Sequence, residues 1–143
     1  MKRTLGLLLL VGLLFAGYLA AVKPQPPVFE GLEQVSIDTI GQHGWSLKGT
    51  VVFKNPNSMR TQLGVIEFSV SVNGQPIGTI LQEVNSGISK GGEFRLPFQL
   101  RYTSEEVVLQ APYHISLHGQ ARSNTLLGNY TVAMDREEDF AGH

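Results

Sequence analysis

Between residues 35 and 134 apolar side chains recur at every second position, and that period decides what this chain can fold into. Trp45, Leu47, Gly49, Val51 and Phe53 alternate with Ser46, Lys48, Thr50, Val52 and Lys54. Ile66, Phe68, Val70 and Val72 alternate with Glu67, Ser69, Ser71 and Asn73. Phe94, Leu96, Phe98, Leu100 and Tyr102 form a third series, and Tyr113, Ile115, Leu117, Gly119 and Ala121 a fourth. Val35 and Ile37 open the sequence of strands, Ile77–Leu81 adds a short one, and Tyr130, Val132 and Met134 close it. A two-residue period places one apolar and one wet face on each strand, the pattern of antiparallel sheets. Strands with a single dry face must close two sheets on one another. The expected fold is all-β: an immunoglobulin- or fibronectin-III-like antiparallel β-sandwich of about seven strands.

Punctuation along the chain agrees with this. Asn73-Gly74 between two apolar runs signals a tight hairpin. Asn55-Pro56-Asn57-Ser58 and Ser89-Lys90-Gly91-Gly92 mark further turns. Pro97 has no amide hydrogen, so its strand belongs at a sheet edge or carries a bulge. Thr103-Ser104-Glu105-Glu106 fits a helix capping box, and Val107–Leu109 with Pro112 behind it predicts one short helix. No repeat of solenoid period is present.

The amino end is different in kind. Met1-Lys2-Arg3 is a basic head, and Leu5–Val22 carries no charge. Its roughly eighteen residues would extend about 27 Å as a helix, close to a hydrocarbon core of about 30 Å. One expectation is a cleaved signal peptide; but Leu19-Ala20-Ala21 and Tyr18-Leu19-Ala20 are poor small-x-small sites. The favoured expectation is an uncleaved anchor, an N-terminal hydrophobic helix that attaches the chain to the membrane through Leu5–Val22. Lys2 and Arg3 hold the amino end in the cytoplasm, so the body is exported to the extracytoplasmic or periplasmic side of the cell envelope. Secretion after cleavage is the alternative. Residues 1–23 are thus signal-anchor or signal peptide, 24–28 a Pro-rich linker, 29–134 the sandwich and 135–143 an acidic tail. The body has eight Lys/Arg against twelve Asp/Glu, and a net acidic body is not expected to be drawn to anionic lipid.

With strand, turn and anchor in place, one resemblance follows. Val51-Val52-Phe53-Lys54-Asn55-Pro56-Asn57 resembles the strand-plus-NPN signature of type-2 late embryogenesis abundant (LEA) proteins, which share the water-stress-and-hypersensitive-response (WHy) domain. Ile66–Gly74 is similar to that family's alternating strand and N-G turn, Pro76-Ile77-Gly78 to its short strand, and Leu100–Gly119 to its strand, short helix and glycine-bearing strand. The resemblance covers residues 30–134. It implies a fibronectin-like sandwich, an association with desiccation tolerance, and no established enzymatic activity. Lipoprotein members attach through a lipidated cysteine; this chain has no cysteine, so attachment is expected through Leu5–Val22 or is absent. The motif residues Asn55, Pro56, Asn57, Asn73 and Gly74 are expected to be structural turns. Asn55 is pushed to extended geometry by the following proline, and Asn57 is expected to cap its own turn and to tolerate left-handed geometry.

Chemistry-bearing residues are sparse. His114 and His118 could chelate a metal on a helix, but on a strand they stand roughly 13 Å apart and are expected to be exposed sheet-face histidines. Asp135, Glu137, Glu138 and Asp139 lack EF-hand spacing. Ser86 and Ser89 are expected to be turn residues in a Gly-rich loop, and Glu105 and Glu106 first-turn helix residues. Asn129-Tyr130-Thr131 is a glycosylation sequon, and Trp45 falls on the inward phase of its strand. No catalytic, phosphate-binding or dinucleotide motif occurs. Without cysteine there is no thiolate site, and the formal charge of −1 advertises no nucleic-acid surface. The expectation is therefore a non-enzymatic stress-protective protein, with no cofactor or metal and with an unidentified client. The alternative is an envelope adaptor or lipid-binding domain using a sheet edge or end loops.

Overall fold

Alternation resolves into seven strands: β1 (Val28–Ile40), β2 (Gly44–Lys54), β3 (Thr61–Val72), β4 (Gln75–Ile88), β5 (Glu93–Thr103), β6 (Tyr113–Thr125) and β7 (Gly128–Phe140). The structure, a computed structural model, describes residues 2–21, 25–105, 109–125 and 128–141. One sheet has the order β1-β2-β5 and the other β4-β3-β6-β7. All neighbours are antiparallel. A helix, α1 (Lys2–Ala21), precedes them. The side chains described in α1, residues 6–16, are all exposed, and among the described residues no helix is long and apolar enough to cross a membrane.

The inward phases of the two sheets form one core. Leu47, Val51 and Phe53 of β2 meet Leu63, Ile66, Phe68 and Val70 of β3, with Leu117 of β6 and Met134 of β7. Phe68 and Phe98 join the sheets directly, ring edge to ring face with centroids 5.2 Å apart. Two glycines make room for these rings. Phe98 covers Gly49, and Gly119 sits opposite Phe68. A Cβ on Gly119 would lie 2.1 Å from the Glu67 carbonyl oxygen and 2.5 Å from the Phe68 Cα. Trp45 is buried and stacks on Tyr102.

Strand β2 is central, so even outward-facing Ser46, Thr50 and Val52 are buried. Glu33 on β1 and Arg95 on β5 flank it, and their ion pair crosses over its outer face. Both edges of this sheet are guarded. Strand β1 carries two bulges, at residues 30 and 34–35, and Pro97 lies in edge strand β5 opposite Thr50.

Four expectations are corrected. The residues expected as an acidic tail from 135 to 143 form the second half of β7 as far as Phe140, paired residue for residue with β6. Pairing overrides local charge here because this face of the sheet is open to water. Val28, placed in the linker, is the first residue of β1, opposite Lys54. The short strand at Ile77–Leu81 extends from Gln75 to Ile88, and bulges at Ile77 and at Val84–Asn85 break its alternation. Ser86 lies in this strand opposite Leu63 and not in a Gly-rich loop. The capping box starts at Thr103, the last residue of β5; its Glu106 and the helix positions Val107 and Val108 lie outside the described residues.

Candidate functional site

Two places bring together the polar residues singled out in the sequence: the NPN turn at the linker end and the β6–β7 outer face. The NPN turn carries the chain from β2 to β3, from one sheet to the other. Asn55 follows the last residue of β2, and its extended backbone donates to the Gly92 carbonyl at 2.9 Å. Its side chain is fully buried. There Nδ2 donates to three carbonyls, of Met59 (2.8 Å), Ile88 (3.0 Å) and Ser89 (3.2 Å). Oδ1 accepts from the Asn57 amide (3.0 Å), Asn57 Nδ2 (2.9 Å) and the Thr61 hydroxyl (3.0 Å). One carboxamide thus ties the end of β2, the start of β3 and the end of β4. Such a group is held in a low-dielectric interior only because every donor and acceptor is met.

Asn57 bonds within the turn, its Nδ2 donating to Asn55 Oδ1 (2.9 Å) and to the Thr61 hydroxyl (3.1 Å), without a positive φ. Its side chain also grips the linker: Gln25 N donates to Asn57 Oδ1 and Asn57 Nδ2 donates to Gln25 O, both at 2.6 Å. Pro56 is exposed between them.

At the opposite end, Asn73-Gly74 is a two-residue hairpin between Val72 and Gln75, with φ of 52° and 78°. These angles fit a primed turn matched to strand twist. Asn73 also reaches across to β6. Its amide donates to the His114 carbonyl and its Oδ1 accepts from the His114 amide, each at 2.8 Å, while Nδ2 donates to the Gln110 carbonyl.

The β6–β7 outer face carries the titratable groups. Register places His114 opposite Asp139, Ser116 opposite Glu137 and His118 opposite Asp135. His114 Nδ1 is 2.7 Å from Asp139 Oδ1, and His118 Nδ1 is 2.9 Å from Asp135 Oδ1. The hydrogen bond to Asp139 raises the pKa of His114 above its ordinary value of 6.5, against the opposing effect of desolvation. The two imidazoles stay apart along the strand, each held by its own carboxylate. Among the described residues no group of three or more His, Asp or Glu is placed to hold a metal ion.

The remaining candidates are scattered. Ser89 lies in the β4–β5 loop, its carbonyl accepting from Gly92 and Asn55. Glu105 is exposed, and Asn129 pairs with Asn124 at the start of β7. The arrangement offers structure and surface charge. Among the described residues it assembles no nucleophile with a base and an orienting group. The burial of Asn55 had no local signal, since its partners at 88 and 89 lie more than thirty residues away.

No protein-family model and no curated protein matches this chain. Solved structures do share its fold. AT1g01470 from Arabidopsis thaliana superposes with a TM-score of 0.62 at 12% identity, covering 81% of this chain and 82% of that one. A Bordetella pertussis protein described as ApaA gives 0.61 at 13% identity over 85% and 97%. A protein described as late embryogenesis abundant, At2g46140.1, gives 0.52 at 13% identity over 90% and 78%. At these identities the likeness concerns the fold alone, an all-β fold that a protein described as late embryogenesis abundant shares.

Proposed function

We propose that this chain is a non-enzymatic stress-protective protein of the type-2 LEA, WHy-domain kind, acting in the cell envelope during water loss. The observation that carries the reading is the NPN turn in its place. The sequence that resembles the WHy signature occupies the crossing between two sheets, in a fold that structures from Arabidopsis and an LEA protein also have. The three-plus-four strand order supports the finer description of the sandwich as fibronectin-III-like. What supports an inner-membrane anchor, with the sandwich on the extracytoplasmic side, is the sequence: the uncharged run Leu5–Val22 behind Lys2 and Arg3.

Protection in this reading comes from a folded surface. Disordered protectants are highly charged and poor in aromatics, whereas this chain packs a continuous apolar core. Its outward faces carry hydroxyls, amides and paired charges, which can hydrogen-bond to neighbouring proteins or headgroups as water is withdrawn. The test is drying a labile enzyme with this protein or with an unrelated sandwich domain of equal mass. Higher recovered activity with this protein is expected; equal recovery would remove the proposed function.

A further inference from the structure

We propose that the linker end of the sandwich is a headgroup-docking surface, held against the anionic leaflet of the membrane in which α1 is anchored; the inference rests on the anchor reading above. Net charge argues the opposite, because the body is acidic. The fold, however, sorts its charges by end. The linker, the β2–β3 loop and the β4–β5 loop meet at one end of the sandwich, since β1 starts there, β2 and β4 end there, and β3 and β5 start there. Residues 25–27, 55–60 and 89–92 contain Arg60 and Lys90 and no carboxylate. Lys54, the last residue of β2, adds a third cation. All three are exposed, the Arg60 guanidinium lying over Gly87 of β4, and Met59, next to Arg60 in the same loop, is 41% exposed.

Two carboxylates flank these loops: Glu30 in β1, and Glu93, the first residue of β5, which stands opposite Lys54. Glu93 is held by Arg95. The denser acidic run, Asp135 to Asp139, lies in the far half of β7, paired with the start of β6. Glu105 belongs to the far end as well, beyond the last residue of β5. The loops at the linker end therefore carry cations without a carboxylate of their own, while the acidic run of β7 lies at the far end.

The tether decides which end meets the bilayer. Only residues 22–24 separate Ala21 from Gln25, so four peptide steps, about 14 Å at full extension, join the helix to the domain. Gln25 is fixed to Asn57 by two hydrogen bonds of 2.6 Å, and Asn57 is fixed to Asn55. With α1 in the membrane, the NPN loop cannot move further from the surface than this short leash permits. The leash is of the order of a headgroup layer plus one Debye length, the range over which cations feel an anionic leaflet. The Asn55 side chain also holds the Met59 carbonyl. The loop backbone at Met59 is thus held in place before docking, which does not have to order it.

The experiment uses the full chain in nanodiscs of phosphatidylcholine alone or mixed with phosphatidylglycerol. Because the chain has no cysteine, Met59→Cys and Gln42→Cys each give a single labelling site, one at the linker end and one at the far end. A headgroup quencher reads the proximity of the attached fluorophore. We expect quenching at residue 59 to be at least threefold stronger in anionic than in neutral discs, and to fall to the neutral level in high salt. We expect the same fall in a Lys54→Gln, Arg60→Gln, Lys90→Gln variant, whose changes are all on exposed side chains. Residue 42 should be quenched in neither disc. Equal quenching of residue 59 in both lipids, or stronger quenching at residue 42, would overturn docking while leaving the anchor intact. A chain that enters neither disc would overturn the anchor reading and docking together.

Discussion

The Asn55 side chain donates a hydrogen bond of 3.0 Å to the carbonyl of Ile88, a residue 33 positions away and in the opposite sheet. It is one of six such bonds made by a single buried carboxamide, and it explains why an asparagine stands at the exit of β2. Truncation in Asn55→Ala would remove all six bonds, those to the three carbonyls included; the Ser89 carbonyl would keep only its bond from Gly92 and the Thr61 hydroxyl only that from Asn57 Nδ2. Each buried group left unsatisfied costs about 1–3 kcal/mol, so a loss of about 3 kcal/mol or more is expected. Asn55→Asp should cost at least as much, because a carboxylate cannot donate to those carbonyls. Urea unfolding of both variants checks this; a change under about 1 kcal/mol would mean that water replaces the side chain.

Gly119 and Gly64 make a matched pair of tests. A Cβ at Gly119 would overlap the backbone of β3, whereas one at Gly64 meets nothing closer than 3.7 Å. Backbone cannot give way as a flexible side chain can. Gly119→Ala is expected to destabilise by about 3 kcal/mol or to prevent folding, and Gly64→Ala to shift stability by less than about 1 kcal/mol. Thermal unfolding of the two variants, side by side, measures the difference.

The His114–Asp139 pair makes stability depend on pH in a definite direction. Its folded pKa is raised above the unfolded value. The contribution is therefore fully present below the unfolded pKa and is lost as pH rises through the folded pKa. Imidazole proton shifts followed by NMR should give a His114 midpoint above 6.5, returning toward 6.5 in Asp139→Asn. The gain in stability on going from pH 8 to pH 5.5 should shrink in the same variant. An unchanged midpoint would show that the pair is open in solution.

Asn73 combines a backbone and a side-chain role that two substitutions separate. Asn73→Gly keeps the left-handed turn but removes the bonds to the His114 amide and the Gln110 carbonyl. Asn73→Ala removes both contributions. The glycine variant is expected to lose about 1 kcal/mol, and the alanine variant about 1 kcal/mol more, in equilibrium unfolding.

These relationships differ in how readily the sequence reveals them. The runs around Val51, Val70, Leu96 and Leu117 alternate cleanly, and each lies in a strand with its apolar phase inward. Asn73-Gly74 reads directly as a hairpin because the turn needs only its own two residues. Strand β4 was harder to bound. Its Asn85, Ser86 and Gly87 carry the composition of a turn, and a bulge there restores pairing that no local pattern reports. The acidic run of β7 misleads for the same reason: Asp135 and Asp139 are at home in a strand because His118 and His114 stand opposite them. The NPN residues were legible as a motif, but not as a buried knot, since the carbonyls that make Asn55 necessary come from distant segments.

The central claim is that protection resides in the folded sandwich. It is tested most directly by drying a labile enzyme with the native protein and with Asn55→Asp, at a denaturant concentration or temperature where circular dichroism shows the variant unfolded and the native protein intact. Activity recovered after rehydration is expected to fall, with the variant, to the level of buffer alone. Equal protection by the folded and unfolded chains would contradict it.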